Sequence, residues 1–314
     1  MFSPEQFIRD AVEYVKGEVE GKAIIAVSGG VDSTTAAILA SRALESDLLA
    51  VYVDTGMMRR GERGDVEEIL RGLDVNYTIV EAADRFFEAL KGVEEPERKR
   101  KAIGGTFIQL FEVEAQRIGA EYLIQGTIAP DWIESGGQLR DRIKTHHNVA
   151  GLPSGMALRV VEPLRDLYKD EVRKVARALG IVVAERQPFP GPGLAVRVLG
   201  EVTPQKIAII RGACAIVEEE IEKAAEGGSM DGPWQYFAVL LPLKTVGVEG
   251  DLRVYGYTVA VRSVESVDGM TASYSEIPHE VLGRISTRIT NEVRGVNRVV
   301  YDVTNKPPGT IEWE

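Results

Sequence analysis

The sequence has few of the residues that most often carry thiol or metal chemistry. Its 314 residues include one cysteine, Cys214, and three histidines, which excludes a disulfide or a cysteine-ligated structural zinc site within this chain. Cys214 lies in an apolar helical run, where we expect a small buried hydrophobe rather than a nucleophile. Any metal chemistry must therefore use oxygen ligands.

The sequence also lacks an excess of positive charge and any long apolar run. Lys and Arg number 37 against 48 Asp and Glu, and the formal net charge of −11 argues against duplex nucleic acid as a partner. No stretch approaches the roughly 20 apolar residues of a membrane span, and the first residues do not resemble a signal peptide. We therefore predict a cytoplasmic protein that binds neither nucleic acid nor a membrane.

The order of predicted elements divides the chain into two parts. In the first part, short apolar runs alternate with helical patterns, which is typical of βα units that build a parallel sheet. After the turn-rich residues 187–193 the order becomes helix, two strands, helix and strand, which predicts an α+β module. We therefore predict two domains, residues 1–187 and residues 188–314.

The limits of these elements follow from apolar periodicity and turn residues. Strands are predicted at 23–27, 48–53, 77–80, 122–125, 235–241, 254–262 and 298–303. Helices are predicted at 4–19, from the end of the loop 28–33 to about residue 44, near residue 82, and at 96–118, 169–179, 204–225 and 279–293. Residues 128–156 show no sustained period. A connection of that length is usually functional.

The strongest local signal is the loop Ser28-Gly29-Gly30-Val31-Asp32-Ser33, between a predicted strand and a predicted helix. The glycines let backbone N–H groups converge, and the helix N-terminus adds partial positive charge, so the loop suits phosphate oxygens. The hydroxyls of Ser28, Ser33 and Thr34 can donate to the same oxygens, and Asp32 beside a polyphosphate fits a magnesium ligand. The alternative is an ordinary capped helix, because Ser and Asp are common N-caps.

This loop lacks the Gly-Lys-Ser/Thr ending of a Walker A loop and the spacing Gly-x-Gly-x-x-Gly. It resembles instead the pyrophosphate loop of the N-type ATP pyrophosphatases. The resemblance implies adenylation of a substrate with release of pyrophosphate, rather than phosphoryl transfer. Because that superfamily includes several synthetases and tRNA-modifying enzymes, other residues must identify the substrate.

Further segments resemble the ATP-pyrophosphatase part of GMP synthetase. They are residues 53–56, 99–104, 125–135, 143–148, 188–193 and 306–314. The resemblance implies an α/β fold, with a parallel-sheet N-type ATP-pyrophosphatase domain (adenine nucleotide alpha hydrolase-like) followed by a smaller α+β domain that forms a homodimer. It also implies that ATP and magnesium activate xanthosine 5′-monophosphate (XMP) at the purine 2-oxygen, after which ammonia displaces AMP to give GMP.

The same resemblance assigns roles to individual residues. ATP and pyrophosphate contacts are assigned to Ser28, Gly29, Gly30, Val31, Asp32, Ser33, Thr34, Val53 and Asp54. XMP contacts are assigned to Arg100, Gln235, Lys306, Ile311 and Glu312. Asp32 is the implied metal ligand and, with Lys144, a catalytic residue. Two assignments have plain alternatives, since Asp54 could be a capping residue and Arg100 lies in a basic run typical of a solvated helix face.

Residues in the aperiodic connection are assigned to a lid. They are Asp131, Glu134, Lys144, His146 and His147. A lysine that neutralises charge on the α phosphate would lower the barrier by electrostatics. A metal site at the two histidines is the weaker alternative, because adjacent side chains point in different directions and no third ligand is evident.

The last ten residues, Asn305 to Glu314, have the composition of a disordered end, but the resemblance places Lys306 and Glu312 on XMP. One departure from the family pattern is visible. The family commonly has Arg-x-Ala-Asp where this chain has Arg211-Gly212-Ala213-Cys214, so Arg211 lacks its acidic partner and its role is left open.

The chain offers no nucleophile for releasing ammonia from glutamine, because Cys214 is predicted to be buried and residue 1 is Met. Only 27 residues precede Ser28, which leaves no room there for an amidotransferase domain. We therefore predict a synthetase subunit that works with a separate glutamine amidotransferase chain. The alternatives are a pyrophosphatase that acts on tRNA or another acceptor, and a non-catalytic nucleotide-binding module.

Overall fold

The structure, a computed structural model, describes residues 2–72, 76–129, 158–181, 187–267 and 269–314. The helices are α1 Pro4–Glu18, α2 Val31–Leu44, α3 Glu62–Gly72, α4 Ala83–Leu90, α5 Pro96–Ile118, α6 Lys169–Ala178, α7 Pro204–Glu226 and α8 His279–Glu292. The strands are β1 Ala23–Ala26, β2 Leu48–Asp54, β3 Asn76–Glu81, β4 Tyr122–Ile124, β5 Arg159–Val161, β6 Gln235–Glu249, β7 Leu252–Glu265, β8 Ser273–Tyr274 and β9 Val296–Asp302. Among these described residues no helix is long and apolar enough to span a membrane.

The chain divides into two units, each of which is discontinuous in sequence. The first unit consists of Met1–Asp54, Glu62–Glu81 and Phe107–Arg186. The second consists of Thr55–Gly61, Ala82–Thr106 and Gln187–Glu314. The second unit therefore contains short segments from the first part of the chain, as well as the whole α+β module.

The first unit is built on a parallel sheet. Five strands among its described residues lie in the order β3-β2-β1-β4-β5, and every neighbouring pair is parallel. β1 and most of β2 are apolar and buried, as expected for parallel strands covered on both faces. α1 begins at a Ser3 cap that accepts a hydrogen bond from the Gln6 N–H, and its Ala11 and Val15 enter the core.

The strand order positions the candidate site. Chain order runs outward from β1 to β2 and β3, then returns past β1 to β4 and β5. This reversal makes a switch point beside β1, where open α/β sheets bind ligands beyond the carboxyl ends of their strands. The loop after β1, the end of β2 and the end of β4 therefore share one edge of the sheet.

The second unit contains a mixed sheet covered by helices. β6 pairs antiparallel with β7, and the opposite edge of β7 pairs with β8 and, in parallel, with β9. α7 begins at a Thr203 cap followed by Pro204, and packs against β6 and α8. Its apolar face and the buried part of β6, including Phe237, form the core. The parallel sheet of the first unit confirms the predicted α/β class, and the mixed sheet with its helices in the second unit confirms the predicted α+β part.

Most predicted elements occur within one or two residues of their expected limits, but five elements of the structure differ. The sequence prediction missed α3, whose buried apolar residues are only Val66 and Leu70. It also missed two short strands, β5 with three residues and β8 with two. β6 and β7 are longer than predicted. The prediction ended β6 at Leu241, whereas the strand continues past an irregularity in its register between Leu240 and Lys244.

Candidate functional site

The glycine-rich loop lies in the first unit, between β1 and α2. Gly29 has φ of +84°, and a Cβ at this position would lie 2.7 Å from Val66 Cγ2, so the turn and its packing against α3 both need glycine. Gly30 is the N-cap of α2 and provides no side-chain cap. The alternative of an ordinary helix capped by Ser or Asp is therefore wrong, and the helix N-terminus faces the loop without a capping side chain.

Two serine hydroxyls hold the loop in shape. Ser33 Oγ accepts a hydrogen bond from the Ser28 N–H at 3.2 Å, donates to the Gly30 carbonyl at 3.1 Å, and lies 3.1 Å from Ser28 Oγ. Thr34 is buried, and its hydroxyl has no hydrogen-bond partner within the described part of the chain. Ser28 and Ser33 thus line the loop, whereas Thr34 lies beneath it.

Asp32 lies in the first turn of α2 with its two carboxylate oxygens in different environments. Oδ2 accepts a hydrogen bond from Lys169 Nζ at 2.5 Å, while Oδ1 is buried and has no partner among the described residues. A carboxylate oxygen without a partner beside a phosphate-binding loop fits Mg²⁺, which takes oxygen ligands together with substrate phosphates. The predicted metal ligand therefore suits the metal.

Two residues that the sequence prediction did not assign also shape this loop. Lys169, at the start of α6, puts an ammonium group beside Asp32 although 137 positions separate them. Gly126, just after β4, would place a Cβ 3.0 Å from the Asp32 carbonyl, so only glycine lets the end of β4 pack against the first turn of α2. Gly126 lies within residues 125–135, one of the segments with a family resemblance. The sequence around Lys169, in contrast, gave no indication of its contact with Asp32.

Asp54 ends β2 on the same edge of the sheet. Its carboxylate lies 3.6 Å from a guanidinium nitrogen of Arg63, which also pairs with Glu81. α3 begins only at Glu62, so the alternative that Asp54 caps a following helix is wrong. Val53 is buried in β2. Both residues lie at the carboxyl end of β2, the edge at which open α/β sheets bind ligands.

The lid residues cannot be placed. Asp131, Glu134, Lys144, His146 and His147 all lie outside the described residues. Within the described part of the chain, no group of three or more His, Cys, Asp or Glu side chains could hold a metal ion.

A second group of predicted residues meets in the second unit. We refer to residues 302–314 as the tail. Glu312 of the tail accepts hydrogen bonds from Gln235 Nε2 at 3.1 Å and from Arg197 Nε and an Arg197 terminal nitrogen at 3.1 and 2.9 Å. Two residues predicted to bind XMP, Gln235 and Glu312, are thus brought into direct contact. Arg197, which the sequence prediction did not assign, joins them.

Arg197 is itself held by aromatic rings. Its guanidinium carbon lies 4.1 Å from the centre of the Phe237 ring and 5.1 Å from that of Phe189, both suitable for cation–π attraction. Arg59 lies 4.5 Å from the Phe189 ring centre and donates to the Pro188 carbonyl. The Pro188–Gly193 segment therefore supports Arg197, which in turn fixes the Glu312 carboxylate.

The tail is ordered by pairing rather than frayed. Lys306 exchanges both backbone hydrogen bonds with Ala272, and its Nζ donates to the Gly269 carbonyl at 2.7 Å. Trp313 Nε1 donates to an Asp302 carboxylate oxygen at 2.9 Å. Ile311 is half-buried beside these contacts. The composition of a disordered end is therefore misleading here.

Arg100 is half-exposed on α5 and pairs with Glu97 of the same helix. This arrangement matches the plain alternative of a solvated helix face. The proposed phosphate contact needs Arg100 to exchange Glu97 for a ligand. An exposed ion pair of this kind contributes about 0 to 1 kcal/mol to stability, so breaking it to bind a ligand costs little free energy.

Arg211 has partners other than the missing acid. It donates hydrogen bonds to the carbonyls of Gly56 and Met58, which lie in the segment after β2. Cys214 is buried, and burial raises the pKa of its thiol. Arg211 therefore acts on the backbone of the second unit, and the prediction that Cys214 is a small buried residue is confirmed.

Known proteins resemble this chain over its whole length. A family model described as "NAD synthase" matches residues 3–103, and one described as "GMP synthase C terminal domain" matches residues 219–313. The B subunit of the glutamine-hydrolyzing GMP synthase of Methanopyrus kandleri is 59% identical over 318 residues, with 100% of both chains covered. The protein of the same name from Pyrococcus furiosus is 60% identical over 316 residues, which cover 99% of this chain and 97% of that protein. A solved structure of NMN synthetase from Francisella tularensis shares 18% identity, with a TM-score of 0.48 over 66% of this chain and 85% of that chain.

Proposed function

The chain belongs to the family of GMP synthase B subunits, a family of ligases, and we therefore propose that it uses ATP to convert XMP to GMP. In this proposal the purine 2-oxygen of XMP attacks the α phosphorus of ATP and pyrophosphate leaves. Ammonia then attacks purine C2 and AMP leaves, which gives GMP. Atoms balance because the 2-oxygen departs on AMP and the ammonia nitrogen takes its place.

The observation that carries the proposal is the loop after β1. Its backbone turns at Gly29, the N-cap Gly30 leaves the start of α2 without a capping side chain, and Ser28 and Ser33 present hydroxyls. These groups would hold the β and γ phosphates, so that the leaving group is bound while the α phosphorus reacts. Val53 and Asp54, on the same sheet edge, would contact the adenosine part of ATP.

Asp32 would hold the magnesium ion through the oxygen that has no partner, and Mg²⁺ when bound neutralises charge on the phosphates. Lys169 is a second positive group at this loop, 2.5 Å from the other Asp32 oxygen. It fixes the orientation of the Asp32 side chain. Its ammonium has further N–H donors for a phosphate oxygen, since it uses only one for Asp32.

The XMP contacts are proposed for the second unit. An ionised carboxylate offers about four acceptor sites, and Arg197 and Gln235 use three of those on Glu312, so one remains for an N–H of the xanthine ring. The Lys306 ammonium uses one of three donors on Gly269, which leaves two for XMP oxygens. Arg100, once released from Glu97, would contact the XMP phosphate. Ile311 would supply apolar contact.

The remaining assignments rest on the family resemblance. We propose that Lys144 neutralises charge on the α phosphate and that Asp131, Glu134, His146 and His147 belong to the lid. We also propose that residues 1–187 form the ATP-pyrophosphatase domain and that residues 188–314 form the domain that binds XMP, to which Arg100 of the first part adds a phosphate contact. The relatives are named as one lettered subunit of their enzyme, which supports a separate partner chain. We propose that this partner is a glutamine amidotransferase that supplies ammonia.

The proposal predicts that the purified chain releases pyrophosphate only when ATP, Mg²⁺ and XMP are all present. With ammonium added it should form GMP, and with glutamine alone it should form none, because the described residues offer only a buried cysteine as a nucleophile. The measurement is pyrophosphate release, with GMP followed by chromatography.

Two substitutions of the acceptor complete this test. XMP is replaced by a NAD precursor or by tRNA, and each should fail to release pyrophosphate. Release with tRNA or the NAD precursor but not with XMP would contradict the assigned substrate. Binding of ATP with no release under any condition would favour the non-catalytic module.

A further inference from the structure

Three basic side chains are buried among the described residues, and all three bind the tail. Lys99, Arg197 and Arg262 have relative exposures of 0%, 1% and 0%. They come from three separate elements, namely α5, the short helical turn Gly193–Arg197 and β7. This convergence has no counterpart elsewhere in the described part of the chain.

Arg262 holds the first part of the tail. It pairs with the Asp302 carboxylate at 3.3 Å and donates to the carbonyls of Thr304 and Thr310. Lys306 lies between these two carbonyls in sequence. Arg262 therefore fixes the backbone on both sides of Lys306.

Lys99 holds the other end. Its Nζ donates to the Val198 carbonyl at 2.7 Å and pairs with the Glu314 carboxylate, which also accepts a hydrogen bond from the Gly200 N–H at 3.3 Å. The side chains of the pair are 0% and 7% exposed. Burial lowers the pKa of Lys99 and raises the pKa of Glu314, so each ion depends on the other.

Burying a cation is unfavourable unless it is paired and hydrogen-bonded. Here the tail supplies the compensation, as carboxylates from Asp302, Glu312 and Glu314 and as backbone carbonyls. In sequence, the Arg262 contact with Asp302 and the Lys99–Glu314 pair lie on either side of Lys306 and Glu312, the two charged tail residues proposed to bind XMP.

We propose that Lys99, Arg262 and Glu314 are positioning residues that preorganise the tail for XMP, without touching it. The inference rests on the proposed function. Lys99 is also the neighbour of Arg100 on α5, so the Lys99–Glu314 pair sets the position of the tail relative to the proposed phosphate contact. Loss of the pair leaves Lys306 and Glu312 present but misplaced.

The test uses the full chain with Glu314→Gln, Lys99→Met and the double variant. We expect Glu314→Gln to raise the KM for XMP about 10- to 100-fold, the usual cost of a small misplacement of binding groups. The KM for ATP, and kcat at saturating XMP, should stay within about twofold of wild type. Calorimetric XMP binding should weaken in parallel with KM.

The double variant separates positioning from stability. Replacing a buried ion pair by neutral groups commonly restores stability, because no unpaired charge remains. We expect its melting temperature to return toward wild type while the KM for XMP stays high. Recovery of both together would show that the pair only stabilises the fold and would overturn the proposal, as would wild-type XMP binding in folded Glu314→Gln.

Lys223→Met is the matched control, because Lys223 is an exposed lysine of the same unit, and it should leave every parameter unchanged. If Lys99→Met does not fold, Glu314→Gln decides the question alone. Failure of the wild-type chain to use XMP would instead refute the proposed function. Normal wild-type activity with unaltered variants would refute only the positioning role.

Discussion

At the scale of single residues, Asp32 of the proposed ATP site has its two carboxylate oxygens in different environments. One of its oxygens is bound by Lys169 and the other is buried without a partner among the described residues. The Asp32–Lys169 pair is partly exposed, with side-chain exposures of 28% and 46%. Such pairs contribute about 0 to 1 kcal/mol to stability, so the residue is better explained by ligand binding than by folding.

We therefore expect Asp32→Asn to reduce the rate of magnesium-dependent pyrophosphate release about 100-fold or more. This is the usual effect of removing one preorganised charge from an active site. The free energy of unfolding should change by less than about 1 kcal/mol, since only the exposed pair is lost. The measurements are pyrophosphate release over a range of Mg²⁺ concentrations and thermal unfolding.

Asp47→Asn is the matched control, because Asp47 is an exposed carboxylate before β2, at the opposite end of that strand from Asp54. The Asp47→Asn variant should release pyrophosphate at the wild-type rate. If Asp32→Asn turned over normally even at limiting Mg²⁺, the carboxylate would have no role with the metal.

The loop was predictable from sequence because its determinants are local: two glycines, two serines and an acid between a strand and a helix. Lys169 was not, because its contact with Asp32 joins residues far apart in the chain. Arg197 was missed for the same reason. Its charge gave no signal until the fold placed it between two aromatic rings and against Glu312.

At the scale of elements, α7 and α8 are joined by a charged cluster as well as by apolar packing. Glu220 is 5% exposed and accepts hydrogen bonds from Arg284 at 2.8 Å and Arg288 at 3.1 Å. Arg288 also binds Glu219 of α7 and Glu292 of α8. The hydrogen bonds from Arg284 and then Arg288 lower the pKa of Glu220.

This cluster predicts a pH-dependent contribution to stability. Because the folded pKa of Glu220 is depressed, its contribution is present above the unfolded value of about 4.3 and is lost as pH falls through the folded pKa. Glu220→Gln should cost about 1.5 to 3 kcal/mol at pH 7, the usual range for hydrogen bonds to a charged group, and less at pH 3.

The measurement is the free energy of unfolding of both proteins at the two pH values. Glu226→Gln, an exposed change at the end of the same helix, should have little effect at either pH. An equal loss for Glu220→Gln at pH 7 and pH 3 would show that ionisation of Glu220 contributes nothing.

Apolar periodicity predicted the long elements well, and it predicted poorly the elements that bury few apolar residues. α5 occurs at Pro96–Ile118 as predicted, because its length offsets two interior glycines. α3 was missed since charged residues dominate it and only two apolar residues enter the core. The second half of β6 was missed because its apolar residues are exposed, and burial is what a strand pattern normally reports.

At the scale of the whole molecule, the far half of the β6–β7 hairpin presents an uncovered apolar face. Val246 pairs with Tyr255, and Val248 lies two residues along on the same face of the sheet. Val246, Val248 and Tyr255 are exposed by 44%, 78% and 63%. Exposed apolar patches of this kind mark association surfaces, and we propose that a second copy of the chain covers this one.

We expect Val246→Glu with Val248→Glu to split the proposed homodimer, because both copies would bury like charges. The mass measured by light scattering should fall from that of a dimer toward 34.4 kDa. Val267→Glu is the control, since Val267 is 98% exposed outside the hairpin, and it should leave the mass unchanged. A dimer that survives the double change would place the contact elsewhere.

The sequence prediction treated residue 187 as a boundary because turn residues cluster there. What it could not show is that Thr55–Gly61 and Ala82–Thr106 belong to the second unit, since membership depends on long-range contacts. Arg211 binds the first of these segments, and Glu314 binds Lys99 in the second. These pairings have no local sequence pattern.

This interleaving constrains how such a gene can recombine. A single crossover near codon 187 would join a tail from one ancestor to a Lys99 from another, and would pair Arg211 with a foreign 55–61 segment. A chimaera joined at residue 187 therefore keeps the contacts of its second unit only if the other parent supplies matching partners for Arg211 and Glu314.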